Sequence, residues 1–133
     1  MKIERTGLIL YVIKYDECVV FYKEVLNLNI LFKNDDLTCF DFFGTYLMVE
    51  RENRNEFLNN DLGLPENFSC LRMNVDNVKA LSDQLKVKGI AVNYQEHSWG
   101  TVAKFKDPNG NLLAFKDEKG FAKQIEEYKK ITI

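Results

Sequence analysis

The spacing of apolar residues changes period twice along this chain, and both times in the same order. Arg5 to Ile13 is a run rich in Ile, Leu, Val and Tyr, which predicts a strand. Asp16 stands where an N-cap would open a helix over Glu17 to Leu26, with Cys18, Phe21, Tyr22 and Val25 on one buried face. Asn27 to Lys33 reads as a strand and Asn34-Asp35-Asp36 as a turn, followed by strands Leu37 to Phe43 and Thr45 to Arg51 around Gly44. Glu52 to Asn67 then loses the pattern and turns polar, which predicts a linker with one helical turn near Glu56 to Asn60. The order resumes with a strand at Phe68 to Val75, an N-cap at Asp76, and a helix faced by Val78, Leu81 and Leu85 that ends at Gly89. Ile90 to Tyr94 is the next strand. Thr101 to Lys106 and Asn111 to Lys116 form a hairpin, turned by Asp107-Pro108-Asn109-Gly110, where Pro108 presets φ. Gly120 to Lys130 predicts a closing helix with Phe121, Ile125 and Tyr128 as the stripe that packs on the body.

These elements are two β-α-β-β-β modules of an α+β fold, spanning about residues 4–51 and 68–117. A linker at 52–67 joins them and a helix at about 120–130 follows, all within one domain over 1–133. Residue types recur in place: Val12 to Phe21 parallels Val75 to Leu85, and Gly44-Thr45-Tyr46-Leu47 parallels Gly110-Asn111-Leu112-Leu113.

Composition narrows the function classes. Lys and Arg total 18 against 20 Asp and Glu, a net charge of −2, with the basic residues scattered; this argues against nucleic acid as a main partner. No apolar run has transmembrane length, so no membrane partner is expected, and the start reads as a first strand and not a signal peptide. Cys18, Cys39 and Cys70 make no metal-knuckle or CxxC spacing, which points to reduced thiols and a cytoplasmic location.

Three stretches resemble the vicinal oxygen chelate superfamily of glyoxalases, bleomycin-resistance proteins, fosfomycin-resistance enzymes and extradiol dioxygenases. FYKEVLNL (Phe21 to Leu28) is similar to its FY-x-x-x-LG segment, with Asn27 for the usual Gly. NVDNVKAL (Asn74 to Leu81) is similar to the opening of its second helix. SWGTVAKFKDPNGN (Ser98 to Asn111) resembles its WG…DPdGN hairpin, most of all in the bleomycin-resistance branch. The resemblance implies that the paired modules form a curved mixed sheet with a concave cleft for ligand and helices on the convex side. It also implies a homodimer, for which an open sheet edge is a further reason.

Metal-dependent members place ligands at four strand positions, two per module. Carried onto this chain, those positions are Gly7, Met48, Cys70 and Ala114. Two have no donor, one is a thioether and one a lone thiol, whereas a divalent ion of this kind takes imidazole, carboxylate or amide ligands. A two-residue slip would bring Glu50 in for Met48, and His97 is the single histidine, read as an exposed loop residue beside Glu96; Glu50, Cys70 and His97 are the weak metal candidates. No cofactor is therefore expected. The expected function is metal-independent binding of a small molecule, with resistance by sequestration as one outlet. The alternative is a divergent lyase, isomerase or dioxygenase with a non-standard metal site. A third reading, a protein-interaction domain, rests only on the lack of a clear catalytic set.

Strand periodicity suggests which residues line the cleft. Ile9 and Tyr11 follow Gly7 on one face, and Arg72 and Asn74 follow Cys70. The expected ligand-binding set is Tyr11, Tyr46, Met48, Cys70, Arg72, Trp99 and Ala114. Arg72, a charge between apolar neighbours, either meets an anionic ligand with bidentate hydrogen bonds or pairs with Asp41 or Glu50 across the sheet. Trp99 either stacks on a planar ligand or fills the core. Asp41 as a general base and Cys70 as a nucleophile are weaker options than an outward carboxylate and an inert thiol.

Overall fold

A computed structural model describes residues 1–54 and 69–131. Most of the expected linker, its helical turn near 56–60 and the first residue of the Phe68 strand lie outside the described residues. Contacts divide the chain into two compact units, residues 1–65 with 108–110, and residues 66–107 with 111–133.

The first unit contains β1 (Gly7–Val12), α1 (Tyr15–Val20), β2 (Ile30–Lys33), β3 (Leu37–Phe42) and β4 (Thr45–Arg51). Its sheet order is β1-β4-β3-β2, with β1 parallel to β4 and the other pairs antiparallel. Phe43 and Gly44 turn β3 into β4 with φ of 52° and 93°, the two left-handed residues of a type I′ hairpin. The core gathers Val12, Phe21, Tyr22, Phe40, Leu47 and Val49, all nearly inaccessible. Tyr22 meets Phe21 edge-on at 5.2 Å and Phe40 at 6.1 Å. A polar contact in this core is complete, with the Tyr15 hydroxyl 2.7 Å from that of Thr38.

Two expectations are corrected here. Helix α1 opens at Tyr15, so Asp16 is inside its first turn, and the capping position falls to Lys14 without a side-chain bond. Asp16 instead favours the helix through charge near its N-terminus. The helix then widens to a π-helical turn over Phe21–Val25 and stops at Leu26. Asn27 takes φ 56°, the left-handed conformation that ends helices and that Asn tolerates well, so β2 begins only at Ile30.

The second unit repeats this arrangement with β5 (Cys70–Val75), α2 (Val78–Val87), β6 (Asn93–His97), β7 (Gly100–Lys106) and β8 (Leu112–Asp117), in the order β5-β8-β7-β6. Again the outer pair β5 and β8 is parallel. Helix α2 is capped by Asn77, whose Oδ1 accepts from the Ala80 N–H at 3.0 Å, one residue beyond the expected Asp76. On the other side of the sheet's central strands, Leu113 and Phe115 share a face with Ala103 and Phe105, and the two phenyl rings lie 5.0 Å apart. The third helix, α3 (Glu118–Ile131), buries none of its residues fully. Ile125 and Tyr128 of the expected stripe are 42% and 66% exposed, and Phe121 is its half-buried member.

Asn109, in the tip of the DPNG turn, groups with the first unit. Its Oδ1 accepts from the backbone N–H of both Ile13 and Lys14 at 3.0 Å, holding the junction between β1 and α1. Asp107 closes the base of the same turn, accepting from the Asn111 N–H at 2.9 Å and its amide nitrogen at 2.7 Å. The turn's polar residues are thus structural.

Candidate functional site

The second sheet carries a groove of about 550 Å³. Cys70 and Arg72 come to it from β5, Ala114 from β8, Val102 and Lys104 from β7, Gln95 and His97 from β6, and Trp99 from the β6–β7 turn. The hydrogen-bond register sets this composition. Arg72 and Lys104 both pair with Ala114, from its two sides, and Gln95 pairs with Val102. The alternate residues Leu71, Met73 and Val75 are partly buried while Cys70, Arg72 and Asn74 are exposed, as strand alternation requires.

Four of the expected ligand-binding residues, Cys70, Arg72, Trp99 and Ala114, meet in this groove. Tyr11, Tyr46 and Met48 share a face of the first sheet: Tyr11 pairs with Glu50, Met48 with Ile9, and Tyr46 with Gly7. The Tyr46 ring lies against Gly7 so closely that a Cβ there would overlap it. The space that a longer side chain would need at Gly7 is filled from the neighbouring strand.

Trp99 and His97 are placed differently from expectation. Trp99 is 44% exposed, in the two-residue turn that joins the paired residues His97 and Gly100, so it is not a core residue. His97 belongs to β6 and not to a loop. Its ring lies flat on the indole, centroids 4.5 Å apart and planes 8° off parallel, and its Nε2 is 2.9 Å from Gln95 Oε1. Beneath the turn, Lys116 has no exposed surface. Its Nζ is 2.7 Å from Asp117 Oδ1, donates to the Trp99 carbonyl at 3.4 Å and stands 5.3 Å from the indole centroid. That hydrogen bond from Lys116 holds the Asp117 carboxyl at a pKa of about 2, against the effect of burial. Asp117 also accepts from Thr101 N–H at 2.7 Å and Gly120 N–H at 2.8 Å, the latter an N-cap bond that starts α3. Helix α3 in turn sets Phe121 under the Arg72 guanidinium, 5.6 Å from the ring centroid.

Arg72 therefore rests on an aromatic ring, and among the described residues no carboxylate pairs with it. Cys70 is the exposed thiol; Cys18 and Cys39 are buried, and burial pushes the Cys39 thiol up. Lys104, Gln95 and Val102 were absent from the expected set. The signal for Lys104 was in the hairpin: a turn closed between Asp107 and Asn111 pairs Lys106 with Leu112 and hence Lys104 with Ala114.

The sequence profile of the Glyoxalase/Bleomycin resistance protein/Dioxygenase superfamily matches residues 2–115. The chain belongs to that superfamily. Among solved structures, glyoxalase I of Leishmania major, described as trypanothione-dependent, is similar with a TM-score of 0.75 at 20% identity, over 97% of this chain and 96% of that one. Lactoylglutathione lyase of Agrobacterium tumefaciens gives 0.67 at 19% identity, over 86% and 92%. The fosfomycin resistance protein FosX of Listeria monocytogenes gives 0.66 at 12% identity, over 88% and 93%. At these identities the likeness is one of fold. No curated protein matches significantly. At the four positions to which the sequence resemblance carries the metal pattern, Gly7, Met48, Cys70 and Ala114, this chain has no carboxylate, imidazole or amide. Ala114 is flanked by two cations, whose charge opposes a divalent ion there. Among the described residues no three His, Cys, Asp or Glu side chains come together as a metal site. The superfamily's metal does not fit this donor set.

Proposed function

We propose that this protein binds a small organic molecule without a metal, in the groove of its second module. One observation carries the reading. The groove keeps its volume and its aromatic wall at Trp99, while Ala114, at a position where metal-dependent members place a ligand, is a methyl group flanked by Arg72 and Lys104. A concave site with apolar floor and a few polar side chains is the usual form of a small-molecule site. Sequestration of a toxic compound is one use of such binding. We place the protein in the cytoplasm as a homodimer; strands β1, β2, β5 and β6 end their sheets and offer pairing edges. Calorimetric titration of metabolites and antibiotics, bleomycin included, against chelator-treated protein tests the reading. Binding that shifts Trp99 supports it, and silence across the panel overturns it.

A second reading has one observation in its favour: Cys70 and His97 line the same groove. A divergent metalloenzyme could recruit both, with Glu50 as the third candidate. Elemental analysis of protein purified without chelators decides this, since sub-stoichiometric Zn, Ni, Mn and Fe excludes it.

A further inference from the structure

The second sheet separates charge in a way the whole chain does not. The protein is slightly acidic, with 20 Asp and Glu against 18 Lys and Arg. Strand register and alternation put Arg72, Lys104, Lys106 and Lys116 on the groove side of the sheet, and no Asp or Glu of those strands shares that face. Lys116 is committed to Asp117. Lys106 lies outside the groove lining. Arg72 and Lys104 remain, both exposed, both lining the groove, and neither in an ion pair among the described residues.

Their spacing is set by the backbone. Each pairs with Ala114 on the strand between them, so their strands stand two sheet spacings apart, roughly 9–10 Å. A methyl group separates the two cations, and the long side chains can converge above it. Two cations on one face of the sheet, in no ion pair among the described residues, repel each other, and an anion between them is attracted by both. Val102 and Trp99 continue the groove from this pair with apolar surface.

We infer that the groove selects an oxyanion: a carboxylate or phosphate group seated over Ala114 between Arg72 and Lys104, with an apolar or aromatic body along Val102 and Trp99. Arg72 provides the planar fork for two oxygens and Lys104 a point charge. The charge order of a metal site is inverted here, with the protein supplying cations and the ligand the carboxylate or phosphate. This inference rests on the binding reading above and adds the ligand's charge class.

The test uses four probes of one shape: 1-naphthoate, 1-naphthyl phosphate, neutral 1-naphthamide and the 1-naphthylmethylammonium ion. Calorimetry gives the affinity, and amide chemical shifts of Lys104 and Ala114 show that the groove is the site. At least one anion binds about 10-fold or more tighter than the amide, and the ammonium ion binds weakest. Arg72→Gln and Lys104→Gln each lose about 10-fold for the anion and leave the amide unchanged, whereas Lys106→Gln stays within about 2-fold. The three residues are exposed, so the variants are expected to fold, which circular dichroism checks. Equal affinity for amide and anions, preference for the ammonium ion, or an equal loss in Lys106→Gln overturns the inference while leaving the binding reading standing. If no probe shifts Lys104 or Ala114, both fall.

Discussion

Lys116 and Asp117, adjacent in sequence, form a short ion pair of 2.7 Å although Lys116 has no exposed surface. Successive strand residues point to opposite faces, and the end of the lysine chain passes beside Gly100 to reach the carboxylate. A Cβ at Gly100, whose φ is 143°, would overlap the ammonium group. The pair ties together the Trp99 carbonyl, the Thr101 amide and the start of α3.

Asp117→Ala should cost about 3 kcal/mol in urea unfolding, because it strands a buried ammonium and removes a helix cap. Lys116→Met should cost less, about 1 kcal/mol, since Asp117 keeps its two backbone donors. Equal costs would contradict the assignment of Lys116 as the group that cannot be left alone.

The acid side of the stability curve follows from the same pair. Asp117 and Glu52 both have folded pKa values near 2, Asp117 through the Lys116 hydrogen bond and Glu52 through Arg54. Both lie below the unfolded values of about 4, so their contribution is complete above pH about 4 and is lost as pH falls toward 2. Asp117→Asn should flatten stability between pH 4 and 2, and unchanged steepness in acid titration followed by circular dichroism would refute it.

Ser82 is fully buried on α2 and its hydroxyl has no partner among the described residues. Ser82→Ala should therefore be neutral or stabilise the protein by up to about 1 kcal/mol in thermal unfolding. A loss of more than about 1 kcal/mol would reveal a hydrogen bond to that oxygen.

Gly7→Ala should destabilise the first module by about 1–3 kcal/mol, because the new methyl group meets the Tyr46 ring. Adding Tyr46→Ala should recover part of that loss, a non-additive result that two independent sites would not give.

The two-module order was readable because apolar periods of two and of three to four alternate in the same sequence twice, a pattern that local uncertainty cannot erase. The element ends were less readable. Asp16 and Asp76 both look like caps, yet only the backbone decides which polar residue takes the half-extended conformation, and it was Asn77. Tyr94-Gln95-Glu96-His97 has too few apolar residues to mark a strand, and it is one because β7 supplies the partner hydrogen bonds. In the groove, Cys70, Arg72, Trp99 and Ala114 were found from motif position and alternation. Lys104 was missed because in TVAKFK a lysine reads as a solvated position; only the register across the hairpin sets it beside Ala114 and opposite Arg72.

The central claim is metal-independent binding in the second-module groove, and Trp99, the single tryptophan, reports on it directly. The decisive measurement is the dissociation constant of the best-binding compound, read from Trp99 fluorescence before and after exhaustive chelation. The account predicts the same constant in both states, and about a 10-fold or greater loss when Ala114→Leu fills the groove floor. Binding that vanishes on chelation and returns with added metal, or that is indifferent to Ala114→Leu, would contradict it.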